Sequence, residues 1–230
     1  MSETFQTKRG QLETYFDRTA AKAWEQLTST EKVSKIRETV RAGRDRMRAT
    51  LLAQLPDDLT GARILDAGCG VGQLSVEAAR RGAEVIAVDI APNLLEVARA
   101  RTPDAVAHLI EYRAGDMLGA DLGAFDHVVA MDSLIHYRAD DIAHALATLG
   151  TRTRHSIVFT VAPRTVALTA MLAAGALFPR SDRSPDIRPV SEARLGRALG
   201  ARGDMTDWAL RSHGRIKSGF YFSEAMEVSR

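Results

Sequence analysis

The segment ILDAGCGVGQ, residues 64–73, joins an apolar run to three glycines at alternate positions, and its residue types suit ligand binding. Glycine lacks a β-carbon and readily adopts positive φ, so Gly68, Gly70 and Gly72 would let a ligand lie directly on the main chain. A second apolar run, AEVIAVDI, ends in Asp89, at the distance expected for an acid that binds a ribose in a strand-turn-helix-strand unit. The pattern predicts a nucleotide pocket.

The acid before the first glycine separates two kinds of nucleotide ligand. A dinucleotide site has the order G-x-G-x-x-G and leaves a helix N-terminus free for a pyrophosphate. Here Asp66 stands two residues before Gly68, where its negative charge would repel a pyrophosphate but attract the ammonium and sulfonium end of S-adenosylmethionine. The sequence therefore favours S-adenosylmethionine, with S-adenosylhomocysteine as the product.

These residues resemble the class I (Rossmann-like) methyltransferases, whose first motif reads D-x-G-C-G-x-G. The likeness continues through AGDM, residues 114–117, and FDHVVAMDSLIHY, residues 125–137, which correspond to the family's third and fourth strand ends. In the family, an acid followed by an apolar residue meets the adenine. The resemblance implies cofactor contacts by Asp66, Gly68, Cys69, Gly70, Gly72, Asp89, Ile90, Asp116, Met117 and Asp132.

Composition excludes several other classes of protein. The single cysteine among 230 residues excludes an intrachain disulfide and a multi-cysteine zinc site, and we predict no bound metal. A net charge of +2 is too balanced to suggest nucleic-acid binding. The absence of an NPPY-like motif after the fourth predicted strand disfavours methylation of amino groups on bases or glutamine.

Apolar runs and helical patterns alternate along the middle of the chain, which predicts an α/β fold with a mostly parallel sheet and helices on both faces. Strands are expected near 63–67, 84–89, 109–113, 126–131 and 155–161, and helices near 72–81, 92–101 and 139–149. DWALRSHGRI and SGFYFSEAMEVS alternate as two antiparallel strands, which would complete a seven-stranded class I methyltransferase sheet.

Two additions to this sheet are predicted. Residues 1–58 form an N-terminal helical extension that contributes to the substrate pocket, with its first helix from residue 11, and residues 59–230 form the methyltransferase domain. Residues 163–200 form an insertion that would either cap the pocket or simply pack as a helix and surface loop. The N-terminus has no apolar h-region, and the apolar run at 165–178 is shorter than the roughly 20 residues that cross a bilayer.

One helix of the extension carries four arginines along a single flank. Arg37, Arg41, Arg44 and Arg48 recur at i, i+4, i+7 and i+11. Like charges at this spacing repel one another, so the flank is either a solvated face or a binding edge for an anionic partner or substrate. The sequence leaves both interpretations open.

Four further segments resemble the magnesium-protoporphyrin IX O-methyltransferase family of bacteriochlorophyll synthesis: YFDRTA with Trp24, VSKIRETVRAGRDRMR, MDSLIHY and RIKSGFYFS. The resemblance spans nearly the whole chain. It implies methylation of one propionate of magnesium protoporphyrin IX and a link to the large subunit of magnesium chelatase. The single cysteine favours a reducing, cytoplasmic location. An apolar substrate and the apolar run at 165–178 would allow peripheral contact at the photosynthetic membrane, which the sequence leaves open. The sequence does not indicate the oligomeric state.

We expect Tyr15 and His136 to be the catalytic residues. A propionate is already ionised at neutral pH, so its oxygen needs orientation rather than a strong base, and a phenol and an imidazole can each donate one hydrogen bond to it. Tyr15 could instead be a core aromatic residue. Arg37, Arg41 and Tyr137 are the predicted substrate contacts.

Two other functions fit the same cofactor residues. One is a class I O-methyltransferase that acts on another small molecule, such as a quinone phenol or a carboxylate. The other is a non-catalytic scaffold that retains the fold, against which the intact set of acids and glycines argues.

Overall fold

The computed structural model describes residues 3–15, 35–166, 168, 169, 171 and 187–230. Its strands form one seven-stranded sheet in the order β3-β2-β1-β4-β5-β7-β6. The strands are β1 (Arg63–Ala67), β2 (Glu84–Asp89), β3 (Ile110–Ala114), β4 (Phe125–Ala130), β5 (Thr153–Val161), β6 (Ala209–Ser218) and β7 (Tyr221–Ser229). The first five are parallel and β7 is antiparallel to both of its neighbours, which confirms the predicted sheet.

The helices flank this sheet or extend it at the N-terminus. They are α1 (Glu3–Tyr15), α2 (Lys35–Leu52), α3 (Gln73–Arg80), α4 (Pro92–Arg101), α5 (Asp104–Ala107), α6 (Ala139–Gly150) and α7 (Glu192–Gly200). The prediction that the first helix starts at residue 11 was wrong, because α1 begins at Glu3. Apolar periodicity marks only the part of a helix that is buried, here around Leu12, and not the polar turns before it. Residues 16–34, where that predicted helix continues, lie outside the described chain.

Alternating burial on the strands creates a core on each face of the sheet. Leu65 and Val128 belong to one core cluster, whereas their neighbours Ile64 and Val129 belong to the other. Successive side chains of a strand point to opposite faces, so a strand with apolar residues at consecutive positions is covered on both sides. This explains why Ile64 and Leu65 of β1 are apolar at consecutive positions.

The chain reverses its direction of winding at β1. From β1 it proceeds through β2 to β3 on one side and then returns to β4 on the other side, so β1 pairs with both β2 and β4. In open α/β sheets, the crevice at the carboxyl ends of the strands beside such a reversal is where ligands bind. The fold therefore places the binding cleft beside Asp66 and the glycine turn.

The C-terminal hairpin β6–β7 extends the sheet and contacts α2. The Ser218 hydroxyl donates a hydrogen bond to the Thr39 carbonyl at 2.6 Å, and Gly43 lies against the Tyr221 ring. A β-carbon at Gly43 would come within 2.7 Å of Tyr221 Cδ1, so glycine allows the helix and the hairpin to pack closely. The N-terminal extension is thereby joined to the far end of the chain.

The predicted cap at residues 163–200 is described only at its two ends. Pro163 forms a parallel bridge with Val190, so the cap leaves and rejoins the sheet at the end of β5. Its hydrophobic stretch beyond Met171, and its role as a cap, lie outside the described residues. Within the described parts of the chain, no helix combines the length and the hydrophobicity needed to cross a membrane.

Candidate functional site

A cleft lies at the carboxyl ends of β1, β2 and β4. Its walls come from the glycine turn, the strand ends, the segment after β4 and the two N-terminal helices. The cleft brings together most of the predicted cofactor residues: Asp66, Gly68, Cys69, Gly70, Asp89, Ile90, Asp116, Met117 and Asp132.

The glycine turn adopts the backbone geometry that its sequence predicts. Gly68, Gly70 and Gly72 have φ of 84°, 55° and 75°, in the region that disfavours a side chain. The amides of Gly68 and Cys69 both donate to the Val88 carbonyl, at 2.8 and 3.0 Å, which ties the turn to β2. The turn therefore presents bare backbone to the cleft.

Gly72 packs against β3. It does not line the cleft, and a β-carbon at this position would collide with the Tyr112 hydroxyl from β3. Tyr112 is held there by a 2.9 Å hydrogen bond with the Thr102 hydroxyl. Gly72 thus permits α3 to start close to β3, and its contact with the cofactor stays a prediction.

Asp66 is a buried acid at the end of β1. It is 1% exposed, and its carboxylate accepts a 2.6 Å hydrogen bond from the Ser75 hydroxyl. Burial raises the pKa of Asp66 to about 7, with a further increase from the charge of Asp89 and an opposing decrease from the Ser75 hydrogen bond. A cation in the cleft would stabilise its ionised form.

Asp89 is fixed by the backbone around it. Its carboxylate accepts hydrogen bonds from the amides of Gly70 at 2.8 Å and Ala91 at 2.9 Å. Burial raises its pKa, and these backbone hydrogen bonds oppose the shift. Each carboxylate oxygen has two lone pairs, so Asp89 can still accept from ligand hydroxyls while it holds the glycine turn.

Asp116 joins the cleft to the N-terminal helix α1. One oxygen accepts a 2.9 Å hydrogen bond from the Leu118 amide, and the other pairs with the Arg9 guanidinium at 2.8 Å. Met117 and Ile90 line the same region with partly buried apolar surface. This combination can accept from an exocyclic amine and contact an aromatic base. The sequence carried no signal for Arg9.

The four-arginine flank divides between the cleft and the helix surface. Arg44 and Arg48 line the cleft, whereas Arg37 and Arg41, the predicted substrate contacts, lie nearer the start of α2 and do not line it. Arg44 pairs with Asp132 at 3.0 Å. Arg48 donates to Gln73 Oε1 at 3.2 Å and pairs with Asp45 at 2.7 Å. The substrate contacts predicted for Arg37 and Arg41 therefore stay predictions, and the residues of this flank that line the cleft are Arg44 and Arg48.

The segment after β4 supplies the predicted catalytic histidine. His136 ends the short 3₁₀ helix Leu134–His136, is 6% exposed and lines the cleft together with Tyr137. Burial, reinforced by the charge of Asp116, raises the pKa of Tyr137, so this phenol stays protonated. The backbone of Tyr15 ends α1, and its side chain lies outside the described part of the structure.

Two observations test whether these residues fit S-adenosylmethionine. Asp66 is a buried acid that a ligand ammonium would stabilise, and the Ser133 hydroxyl is a buried polar atom in the cleft wall with no hydrogen-bond partner among the described residues. Asp89, Asp116 and Met117 add acceptors and a soft surface for a nucleoside. The residues therefore fit this cofactor. Among the described residues, no group of three or more histidine, cysteine or acidic side chains could hold a metal ion.

Comparison with known proteins gives consistent matches. Residues 130–230 match the family described as magnesium-protoporphyrin IX methyltransferase C-terminus, and residues 64–155 match a methyltransferase domain. The chain is 52% identical to the magnesium-protoporphyrin O-methyltransferase of Rhodobacter capsulatus over 95% of both chains. It is 30% identical to the chloroplastic magnesium protoporphyrin IX methyltransferase of Arabidopsis thaliana, over 93% of this chain and 69% of that one.

A solved structure shares the fold over almost the full length. The crystal structure of magnesium protoporphyrin IX methyltransferase from Synechocystis with bound S-adenosylhomocysteine superposes with a TM-score of 0.80 at 27% identity, covering 96% of this chain and 99% of that one. The predicted Rossmann-like class I methyltransferase fold is thereby confirmed. The cofactor bound in that structure is the product of the donor that the cleft fits.

Proposed function

Because this chain belongs to the magnesium-protoporphyrin IX O-methyltransferase family, we propose that it methylates one propionate carboxylate of magnesium protoporphyrin IX, with S-adenosylmethionine as the donor. The products are the monomethyl ester and S-adenosylhomocysteine, and the reaction serves bacteriochlorophyll biosynthesis. The observation that carries the proposal is the convergence of Asp66, Asp89, Asp116 and His136 on one cleft in a chain of this family.

The cofactor residues divide by the part of the donor that they would hold. Asp66, with the backbone of Gly68, Cys69 and Gly70, would bind the methionine end, and Asp89 with Ile90 would bind the ribose. Asp116 and Met117 would meet the adenine, and Asp132 is a further predicted contact. When bound, the donor supplies an electrophilic methyl group on a sulfonium.

The chain's own contribution to the reaction is positioning and exclusion of water. A carboxylate needs no general base, so His136 and Tyr15 act by holding one propionate oxygen in line with the methyl group through single hydrogen bonds. Such alignment can supply several kcal/mol of the barrier. His136 and Tyr137 are both buried, and a dry pocket favours a step in which a carboxylate and a sulfonium lose their charges.

The cations of α2 suit a substrate with a second acidic side chain. Arg44 and Arg48 lie in the cleft wall, where they could attract the propionate that does not react. Arg37 and Arg41 continue the flank toward the start of the helix and would act at the mouth of the site. Tyr137 would contact the macrocycle.

Methyl transfer with a labelled donor tests the function directly. With magnesium protoporphyrin as the acceptor, we expect label in a monomethyl ester and a shift of the porphyrin Soret band on titration with the protein. Label in a quinone phenol without a Soret shift would instead identify another O-methyltransferase. Binding of S-adenosylhomocysteine without transfer to any acceptor would identify a scaffold.

Peripheral membrane contact belongs to the same proposal. The substrate is a large apolar macrocycle, and two large apolar side chains, Val166 and Phe220, are 88% and 59% exposed near the end of β5 and at the tip of the C-terminal hairpin. Flotation of the protein with anionic vesicles tests the contact. A Phe220→Ser variant that floats as well as the parent would contradict a role for the hairpin tip.

Contact with the large subunit of magnesium chelatase is proposed from the reaction sequence. That enzyme class produces the magnesium porphyrin that this chain would consume, and direct transfer would spare an apolar substrate from water. Co-sedimentation of the two purified proteins with porphyrin present tests the contact, and independent sedimentation would argue against it.

A further inference from the structure

Asp132 has an unusual backbone conformation. Among the described residues it is the one non-glycine residue with positive φ, at 56°. Aspartate tolerates this region better than most residues, but the conformation still costs free energy and persists where the surroundings hold it. Asp132 follows β4 after one intervening residue, Met131, and begins the segment that carries His136 into the cleft.

The surroundings that hold Asp132 come from three separate elements. From β5, the Thr160 hydroxyl accepts from the Asp132 amide at 2.7 Å and donates to Oδ1 at 3.3 Å. From β7, the Tyr221 hydroxyl donates to Oδ1 at 3.0 Å and to Oδ2 at 3.2 Å, and the Ser223 hydroxyl lies 3.4 Å from Oδ1. From α2, Arg44 pairs with Oδ2 at 3.0 Å.

These contacts engage both oxygens of the carboxylate. A cofactor group would have to compete with a partly buried guanidinium and a buried phenol for the same lone pairs, so the predicted cofactor contact is the weaker explanation of Asp132. The contacts instead define where the segment of residues 132–137 begins. Ser133, His136 and Tyr137 all line the cleft from this segment.

Tyr221 is built into this arrangement. It is 9% exposed, and its ring packs against Gly43 of α2, where a β-carbon would come within 2.7 Å. Burial, together with the negative charge of Asp132, raises the pKa of Tyr221, so its hydroxyl keeps the proton that it donates. The hairpin thus delivers a fixed hydrogen-bond donor to the start of the His136 segment.

We propose that Tyr221 and Asp132 are positioning residues for His136: the carboxylate, held by Tyr221, Thr160 and Arg44, sets the backbone from which the histidine reaches the methyl acceptor. The inference rests on the proposed methyl transfer to a carboxylate. In-line transfer depends steeply on geometry, because a displacement of about 1 Å can cost about 100-fold in rate. A small shift of this segment would therefore slow turnover without emptying the cofactor site.

Three substitutions separate the hydrogen bonds from the backbone conformation. Tyr221→Phe removes one donor and keeps the ring, Asp132→Asn keeps a short polar side chain, and Asp132→Gly removes the carboxylate but accepts positive φ without strain. Ser212→Ala is the matched control. It removes a 2.9 Å hydrogen bond from Ser212 to Glu224 within the same hairpin, and the Ser212 side chain makes no hydrogen bond to Asp132.

The expected result is a split between turnover and cofactor binding. We expect kcat for magnesium protoporphyrin to fall by about 10- to 100-fold in Tyr221→Phe and Asp132→Gly, and less in Asp132→Asn, with the Kd for S-adenosylhomocysteine changed by less than about 3-fold. Ser212→Ala should behave as the parent. A Kd raised in parallel with the loss of kcat, or an unchanged kcat in Tyr221→Phe, would overturn the inference.

A double-mutant cycle distinguishes positioning from general damage to the fold. In a His136→Ala background, Tyr221→Phe should cause little further loss of kcat, because the group that it positions is already absent. Losses that multiply would overturn the inference. Failure of the parent protein to methylate any magnesium porphyrin would refute the proposed function instead, so the two failures are distinguishable.

Discussion

At the scale of single residues, the cleft contains a buried acid, Asp66, that suits the binding of a cationic ligand but lowers the stability of the ligand-free protein when it is ionised. Asp66 is buried beside Asp89, and its pKa is raised to about 7, mainly by burial. In the unfolded chain an aspartate has a pKa of about 3.9, so between these values the native state holds more protons than the unfolded state. The contribution of Asp66 to stability therefore falls as the pH rises from about 4 to about 7.

Replacing Asp66 with a neutral residue should raise the stability of the ligand-free protein and weaken cofactor binding. Asp66→Asn removes the buried charge, so we expect a higher free energy of unfolding at pH 8 in the ligand-free protein and little change at pH 4. The same variant should lose at least about 10-fold in affinity for S-adenosylhomocysteine, since a charged hydrogen bond is worth about 1.5–3 kcal/mol. Urea unfolding at both pH values and calorimetry measure the two effects. A variant less stable than the parent at pH 8 would contradict this account.

Cofactor affinity should depend on pH through the same residue. A ligand ammonium pairs with the ionised carboxylate, so we expect the affinity for S-adenosylhomocysteine to rise as the pH increases through about 7 and then to level off. Calorimetry from pH 5.5 to pH 8.5 in buffers of different ionisation enthalpy measures both the affinity and the released proton. The Asp66→Asn variant, as the control, should show a flatter profile.

At the scale of elements, the contact between α2 and the β6–β7 hairpin holds Arg44 and Arg48 in the wall of the cleft. Gly43 allows this contact, since a β-carbon there would lie 2.7 Å from Tyr221 Cδ1 and 2.9 Å from Ser218 Cβ. The hairpin belongs to the last strands of the sheet, and α2 to the N-terminal extension. The two ends of the chain thus meet at the side of the cleft.

Two glycine substitutions should have opposite effects. Alanine in a helix is intrinsically favoured over glycine by about 1 kcal/mol. Among the described residues no atom lies within 4 Å of a β-carbon added at Gly10, so Gly10→Ala should leave stability unchanged or raise it. Gly43→Ala should instead lower the free energy of unfolding by about 1–3 kcal/mol, because the hairpin must move away. Thermal and urea unfolding of both variants test the contrast. Equal effects of the two would contradict the packing role of Gly43.

At the scale of the whole molecule, cofactor binding should stabilise the native state of the chain. A ligand at 100 times its Kd adds about 2.7 kcal/mol, which for a chain of this size corresponds to a rise of about 5–10 °C in Tm. We expect this rise with S-adenosylhomocysteine and none with a nicotinamide dinucleotide. The Asp66→Asn variant should show little rise at the same ligand concentration. Stabilisation by the dinucleotide alone would overturn the identification of the cofactor.

Local patterns in the sequence determined much of the fold and part of the site. The strands, the glycine turn and the acids at the strand ends could be predicted because each depends on a few consecutive residues: the alternation of a strand, or the positive φ of Gly68. The position of His136 followed in the same way from its place after β4. These features are properties of short segments of backbone.

The tertiary structure decided which distant residues meet in the cleft. Arg9 pairs with Asp116 across 107 positions of the sequence, and Tyr221 donates to Asp132 across 89. The sequence identified the arginine flank of α2, but only the packing of that helix on the hairpin determined that Arg44 and Arg48 line the cleft. Helical periodicity sets the direction in which a side chain points, whereas its distance from a ligand depends on how the helix packs against the rest of the fold.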